Sequence, residues 1–366
     1  MSATSGLARC AGELLIAGFD GTEPSAEILE LIRAGLGGVI LYRKNCADPS
    51  QVLELTNRLQ AAARAAGHLH PLLIAIDQEQ GRVARIVEGV TIFPAMGTIA
   101  RAGDPELVGR VAEAVGRELL SLGVNWNLAP VADVLSIADC PVGDRSFGSD
   151  PAAVGAMVAA YVRGAERAGI LASAKHFPGH GATRKDSHVA APTVERSRAE
   201  LETCDLVPFR AAIAAGVPSV MTTHITFPAL DPEAPATLSR SILRDLLRAE
   251  MGFPGVVISD DLEMAGIALK VALETGALGA LRAGCDVLIV SRMLLAQRDL
   301  PGLLARLRGA VAGGEIPHDD VAAALERTRR LRKRLVWCTD PAFARAVLRA
   351  PAHRALQEEV ERRALA

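Results

Sequence analysis

Hydrophobic residues along this chain fall into short runs set between longer stretches of mixed polarity. Eight such runs recur, at 14–19, 37–42, 72–77, 125–134, 170–176, 219–225, 255–260 and 286–291. They are apolar along their length rather than alternating, the pattern of strands buried on both faces. The stretches between them have helical patterning, and several end at a glycine just before the next run: Gly35, Gly67, Gly123, Gly169, Gly216, Gly252 and Gly284. Glycine suits that place because the residue after a helix commonly takes a left-handed conformation that a side chain resists.

Strand and helix in alternation predict a parallel sheet covered by helices, and eight repeats predict closure into an α/β fold of the (β/α)8 type. The alternative, an open doubly wound sheet, calls for a glycine-rich phosphate loop after the first strand; Phe19-Asp20-Gly21-Thr22-Glu23 stands there instead. Beyond the eighth run, helices are expected at 294–312 and 317–336, separated by Gly313-Gly314. Residues 1–340 are read as the barrel domain and 341–366 as a helical tail, with no room for a second folded domain. Every catalytic group is therefore expected on the barrel and its loops.

Polar residues sit where the apolar runs stop. Asp77 closes the third run, Asp133 the fourth, Lys175 and His176 the fifth, His224 lies at the end of the sixth, Asp260 closes the seventh and Ser291 the eighth. In a barrel the carboxyl ends of the strands form one rim, so these groups are predicted to share a site.

Composition narrows the partner. A formal net charge of −2 and 3% aromatic residues leave neither the basic surface nor the stacking platform of a nucleic-acid binder. A neutral small molecule or polymer fragment is expected instead. Cys10, Cys46, Cys140, Cys204, Cys285 and Cys338 are scattered singly without metal-like spacing, which reads as reduced thiols. The amino-terminal stretch lacks a basic region and its apolar part is interrupted by Glu13, so no leader is expected and the cytoplasm is the expected compartment. No uncharged apolar run approaches the ~18 residues a membrane span needs. The protein is expected to act as a monomer, without membrane, nucleic acid or cofactor.

The densest chemistry lies in Lys175-His176-Phe177-Pro178-Gly179-His180-Gly181-Ala182-Thr183-Arg184-Lys185-Asp186-Ser187-His188. Asp186 can fold back to hold His188 by one ring nitrogen, leaving the other free to give or take a proton near neutral pH. The plainer reading is a turn capped by Asp186 with His188 solvated. In Ser259-Asp260-Asp261-Leu262-Glu263-Met264, Asp260 at the strand end can be a nucleophile, a base, a metal ligand or a cap, and Asp261 is placed to cap the turn beyond the strand. After the third strand comes Asp77-Gln78-Glu79-Gln80-Gly81-Arg82-Val83-Ala84-Arg85, and after the fourth Gly143-Asp144-Arg145-Ser146-Phe147-Gly148. A carboxylate that accepts two hydroxyls, with forked guanidinium donors beside it, suits polyol recognition, although either arginine could instead brace the loops.

Together these segments, in this order over roughly residues 14–335, resemble glycoside hydrolase family 3, and within it the bacterial β-N-acetylglucosaminidase branch that recycles peptidoglycan fragments. The resemblance implies a retaining two-step mechanism. In it Asp260 is the nucleophile and His188, oriented by Asp186, the acid and base. It also implies that Asp77, Arg85, Arg145, Lys175 and His176 hold the terminal N-acetylglucosamine, that His180 shapes the loop, and that no metal takes part. His224 matches a position near the site and receives no role. The sequence departs from the family pattern at Gln80, where a glycine is usual, which puts the placing of Arg85 in question. Arg184-Lys185 adds positive charge that could meet an acidic muropeptide.

Other readings remain. A family 3 phosphorylase or β-glucosidase would share the site. A metal-dependent amidohydrolase could use His176, His180, His188, His224 and Asp260 as ligands, but the chain lacks a close His-x-His pair at the end of an early strand. A sugar-binding barrel without chemistry is the non-catalytic alternative.

Overall fold

The computed structural model describes residues 3–184, 191–291, 299–335 and 340–364. Eight strands form a closed, all-parallel barrel: β1 (Leu15–Ala17), β2 (Gly38–Leu41), β3 (Leu73–Ile76), β4 (Trp126–Asn127), β5 (Leu171–Phe177), β6 (Ser219–Thr222), β7 (Val256–Asp261) and β8 (Val287–Val290). Each pairs with its sequence neighbour and β8 returns to β1, with Leu15 opposite Leu288. The expected α/β barrel is the fold, and each strand lies within one of the eight apolar runs or, for β5 and β7, passes its end by one residue. The fourth run yields a short strand, with a single further bridge beyond it from Val131 to Lys175.

The helices between strands are set by their own sequence. Asp48, Asp104 and Asp150 each accept a backbone N–H of the turn beyond them, and each is followed by a proline at the first helical position, in helices Pro49–Ala65, Pro105–Ser121 and Pro151–Ala168. The aspartate satisfies an orphan amide and the proline arrives with its angle preset, so Asp-Pro starts a helix sharply. All seven helix-ending glycines have positive φ, between 69° and 125°.

Two apolar layers result. Outside the strands lies the continuous core beneath the helices. Inside, Ile16, Ile40, Leu73, Trp126, Leu171, Met221, Ile258 and Ile289 fill the barrel, joined by Leu331 of helix His318–Arg332. The barrel interior is thus a packed plug, which leaves the mouth for a ligand. Helices follow β8 as expected, at Leu300–Ala312 and His318–Arg332.

The tail is two helices rather than one, Pro341–Val347 and Pro351–Ala364. Arg349 takes a left-handed φ of 48° and Pro351 starts the second helix, which breaks the run. Buried Glu118 ties the tail to the barrel by accepting from Thr91 Oγ1 (2.7 Å), the Arg349 amide (2.9 Å) and His353 Nδ1 (2.8 Å). Among the described residues, no helix is long and apolar enough to cross a membrane.

Candidate active site

The polar strand ends converge on the carboxyl side of the barrel, in a cavity lined by Asp77, Glu79, Arg82, Arg85, Arg145, Lys175, His176, His180, Asp260 and Asp261 above an apolar floor of Ile40, Leu128, Met221, Met264 and Ile289. Six of the eight residues singled out for chemistry or binding therefore meet in one place: Asp77, Arg85, Arg145, Lys175, His176 and Asp260. The other two, Asp186 and His188, lie outside the described residues.

Two irregularities in the barrel explain how neighbouring residues can both face the cavity. In a regular strand, successive side chains point to opposite faces. The β5–β6 register slips between Ala174 and Phe177, and the β7–β8 register slips between Ile258 and Asp261. An extra residue in one strand re-aims the side chains beyond it. Lys175 and His176, joined by a cis peptide, both line the cavity, as do Asp260 and Asp261. In β7 the Ser259 hydroxyl accepts the Ile289 amide at 3.0 Å, filling a gap in the ladder.

The floor of the polar half is an ion cluster. The Lys175 ammonium, 2% exposed, lies 2.7 Å from Asp77 and 2.5 Å from Glu79. Arg145 forks onto Glu79 at 2.7 and 2.9 Å, and Arg85 lies 3.5 Å from Asp77 and over the Tyr42 ring at 5.5 Å. Burial alone would raise Glu79, but the charges of Arg145 and Lys175 outweigh it and hold the carboxyl far below the usual range. Burial likewise pulls Lys175 down, and Asp77 and Glu79 pull it up past its ordinary value. Glu79 and Lys175 are thereby favoured in their charged forms, and the cluster presents fixed donors and acceptors to a polyhydroxylated ligand.

His176 is oriented from behind. Its Nδ1 lies 2.7 Å from Asp133, so Nδ1 donates and Nε2 turns to the cavity, 3.4 Å from Arg145. Asp133 also accepts the backbone N–H of His176 (3.1 Å) and of His180 (2.7 Å). Burial would raise Asp133, and the contact with His176 instead brings it below the usual value. The loop beyond β5 is packed tightly, since a Cβ at Gly181 would lie 1.8 Å from the Val134 carbonyl.

Gln80 fits its unusual place. It adopts a left-handed φ of 79°, and its side-chain carbonyl accepts the Phe93 amide at 3.0 Å. Gln78 pins the backbone of Arg85 and Ile86 through three hydrogen bonds of 2.7–3.1 Å. Arg85 therefore reaches Asp77 despite the departure at Gln80.

Glu79 and Asp261 were given no binding or catalytic role by the sequence reading, and Asp133 was placed on the rim without one. Glu79 was signalled by its spacing, two residues after Asp77 and so on the same side of an extended segment. Asp133 lies six residues beyond β4 and His224 two beyond β6, and neither lines the cavity; both sit behind residues that do. Asp261 does more than cap a turn. It accepts the Glu263 amide at 3.2 Å, and its buried carboxyl also meets the Ser291 amide at 3.1 Å and the Ser291 hydroxyl.

Burial raises the Asp261 carboxyl to about 7. A folded value above the unfolded one stabilises the fold at low pH, and that contribution fades as pH rises from the ordinary aspartate range to about 7. Asp261→Asn cannot titrate, so its melting temperature relative to the parent should climb steadily from pH 4.5 to 7.5 in paired melts. A difference that stays flat would mean that Asp261 ionises normally.

The metal-site alternative meets an obstacle in the ring nitrogens. His224 uses both, toward Thr237 Oγ1 and the Asp261 carbonyl at 2.8 Å each, and His176 gives Nδ1 to Asp133. Among the described residues, no group of three or more His, Cys, Asp or Glu side chains is arranged to hold a metal ion.

Comparison with known proteins places this geometry. The family described as "Glycosyl hydrolase family 3 N terminal domain" matches residues 10–331. A β-hexosaminidase of Alkalilimnicola ehrlichii is 41% identical over 283 residues, covering 75% of this chain and 80% of that protein. β-Hexosaminidase A of Pseudoalteromonas piscicida is 37% identical over 357 residues, 91% of this chain; the chain spans only 60% of that relative's length. The solved structure of NagZ from Neisseria gonorrhoeae in complex with N-trifluoroacetyl-D-glucosamine superposes with a TM-score of 0.79 at 30% identity, covering 96% of this chain and 98% of that one.

Proposed function

This chain belongs to glycosyl hydrolase family 3, and from that premise we propose that it is a retaining exo-β-N-acetylglucosaminidase acting on terminal N-acetylglucosamine of peptidoglycan fragments. The observation that carries the reading is the arrangement across the barrel mouth. The ion cluster of Asp77, Glu79, Lys175 and Arg145, with His176 beside it, faces the same cavity as Asp260. Sugar hydroxyls need paired donors and acceptors in fixed places, and the cluster offers both.

In the first step the Asp260 carboxylate attacks the anomeric carbon. The glycosidic bond breaks, and the departing oxygen takes a proton from His188, which Asp186 orients. In the second step His188 accepts a proton from water, the resulting oxygen attacks the anomeric carbon, and the bond to Asp260 breaks with retention of configuration. Asp77, Arg85, Lys175 and His176 hold the terminal sugar, with Arg145 between Glu79 and His176. No metal or other cofactor enters this chemistry. Support comes from relatives named β-hexosaminidase and from a neighbour crystallised with an N-acylated glucosamine.

Two measurements test this. Given a disaccharide peptidoglycan fragment and an aryl β-glucoside side by side, the protein should release N-acetylglucosamine from the first and little glucose from the second. Preference for the glucoside would overturn the substrate assignment. His188→Ala should lower kcat/KM for substrates with poor leaving groups far more than for those with activated aryl groups, because only the former need a proton on departure. An equal loss on both classes would remove His188 from that role. Run in phosphate buffer, the same assay separates free sugar from sugar phosphate, the product of a phosphorylase.

A further inference from the structure

We propose that His224 is a positioning residue for the nucleophile: by holding residue 261, it fixes the amide that orients the Asp260 carboxylate. The proposal rests on the reading of Asp260 given above. His224 is fully buried just beyond β6 and does not line the cavity. Its Nε2 lies 2.8 Å from the Asp261 carbonyl oxygen. A carbonyl only accepts, so Nε2 carries the proton. Its Nδ1 lies 2.8 Å from the Thr237 hydroxyl, itself 2.7 Å from Thr222 Oγ1 and 3.0 Å from the Thr223 carbonyl. The ring is thus gripped at both nitrogens.

Residue 261 is held at two points. His224 takes its carbonyl, and the amides of Ser291 and Glu263 with the Ser291 hydroxyl take its carboxyl. Its one backbone donor, the amide N–H, points to Asp260 Oδ1 at 2.8 Å. This matters because β7 is irregular here, where the register with β8 slips and Ser259 substitutes for a ladder acceptor. A regular ladder would fix the peptide through its strand neighbours. At this point the ladder keeps the Leu262 amide on the Ile289 carbonyl at 3.0 Å, side chains hold the rest of residue 261, and His224 is the one that reaches across from just beyond β6.

The consequence is chemical. A hydrogen bond to one carboxylate oxygen restricts the rotation of the group, so that a single oxygen is aimed at the reacting carbon. If residue 261 turned, the carboxylate would spend part of its time misaimed, which lowers the rate without changing how the sugar is held.

The test uses the full chain and an aryl N-acetyl-β-glucosaminide. His224→Met removes the donor at similar volume. His224→Gln restores an N–H at comparable reach. The expected result is a kcat for His224→Met lowered about 10- to 100-fold, with KM changed less than about threefold, and recovery of most of the loss in His224→Gln. Thr237→Val, which loosens the ring and leaves the donor, should show a smaller fall in kcat alone, and it carries the test should the His224 variants fail to fold. A kcat for His224→Met equal to the parent's would overturn the proposal. So would a loss that Gln leaves unrecovered while both variants melt like the parent. Failure of the parent itself to release sugar would instead sink the assignment of function, which separates the two claims.

Discussion

Asp260→Ala is expected to abolish turnover of an aryl N-acetyl-β-glucosaminide, lowering kcat by at least about 10⁴-fold while the melting temperature stays close to the parent's. Asp260 is partly exposed in the cavity and its carboxylate accepts the amide of the next residue, so truncating it opens no void in the core. The chemistry has no substitute. Asp261 is next to it, but its carboxyl is turned to Ser291 and Glu263, and burial keeps it protonated up to about pH 7. A neighbouring carboxylate with those commitments cannot take over as a nucleophile. Near-parental rates in Asp260→Ala, in steady-state assays with the fold checked by circular dichroism, would refute the mechanism.

Glu79→Ala should have the largest effect on stability together with a large effect on binding. Glu79 is 3% exposed and holds two cations, Lys175 at 2.5 Å and Arg145 in a fork. Deleting it leaves Lys175 with Asp77 alone, and leaves Arg145 without its carboxylate. Breaking a buried pair from one side costs about 3–5 kcal/mol, because the surviving charge stays desolvated. A fall in melting temperature on the order of 10 °C is expected, with KM raised about tenfold or more as Arg145 and Lys175 relax. The pH dependence has a definite sign. Because Glu79 is held below its ordinary value, its contribution is present above that value of 4.5 and fades as pH falls below it. The gap in stability between the parent and Glu79→Gln should therefore narrow in acid. A Glu79→Ala protein that melted like the parent would show the cluster to be ornamental.

The fold was legible because its signals are local and repeated. Apolar runs and glycine stops recur with each strand and helix, and a barrel is that repeat closed on itself. Within the helical tail, the break at Arg349 and Pro351 was not set by the sequence reading. In the site, Asp77, Arg85, Arg145, Lys175, His176 and Asp260 were reachable from their places at strand ends and from the family resemblance. The supporting residues were not. Asp133 behind His176, and His224 behind Asp261, contribute through contacts that span 43 and 37 residues of sequence, and no local pattern shows which strand end will meet which. The two register slips were equally hidden. Alternation would have sent one of Lys175 and His176, and one of Asp260 and Asp261, away from the cavity, and only the irregular strands keep each pair together.

The most direct test is to trap the covalent intermediate with a 5-fluoro analogue of N-acetylglucosaminyl fluoride and to map the modified peptide by mass spectrometry. The analogue slows departure of the sugar from the enzyme more than its arrival, so the glycosyl-enzyme accumulates. One fluorinated N-acetylglucosaminyl group per chain is expected, on the peptide holding Val256 to Met264 and on Asp260 within it. A label on any other residue, or a protein that turns over the aryl substrate yet never accumulates a label, would contradict the assignment of Asp260 as nucleophile.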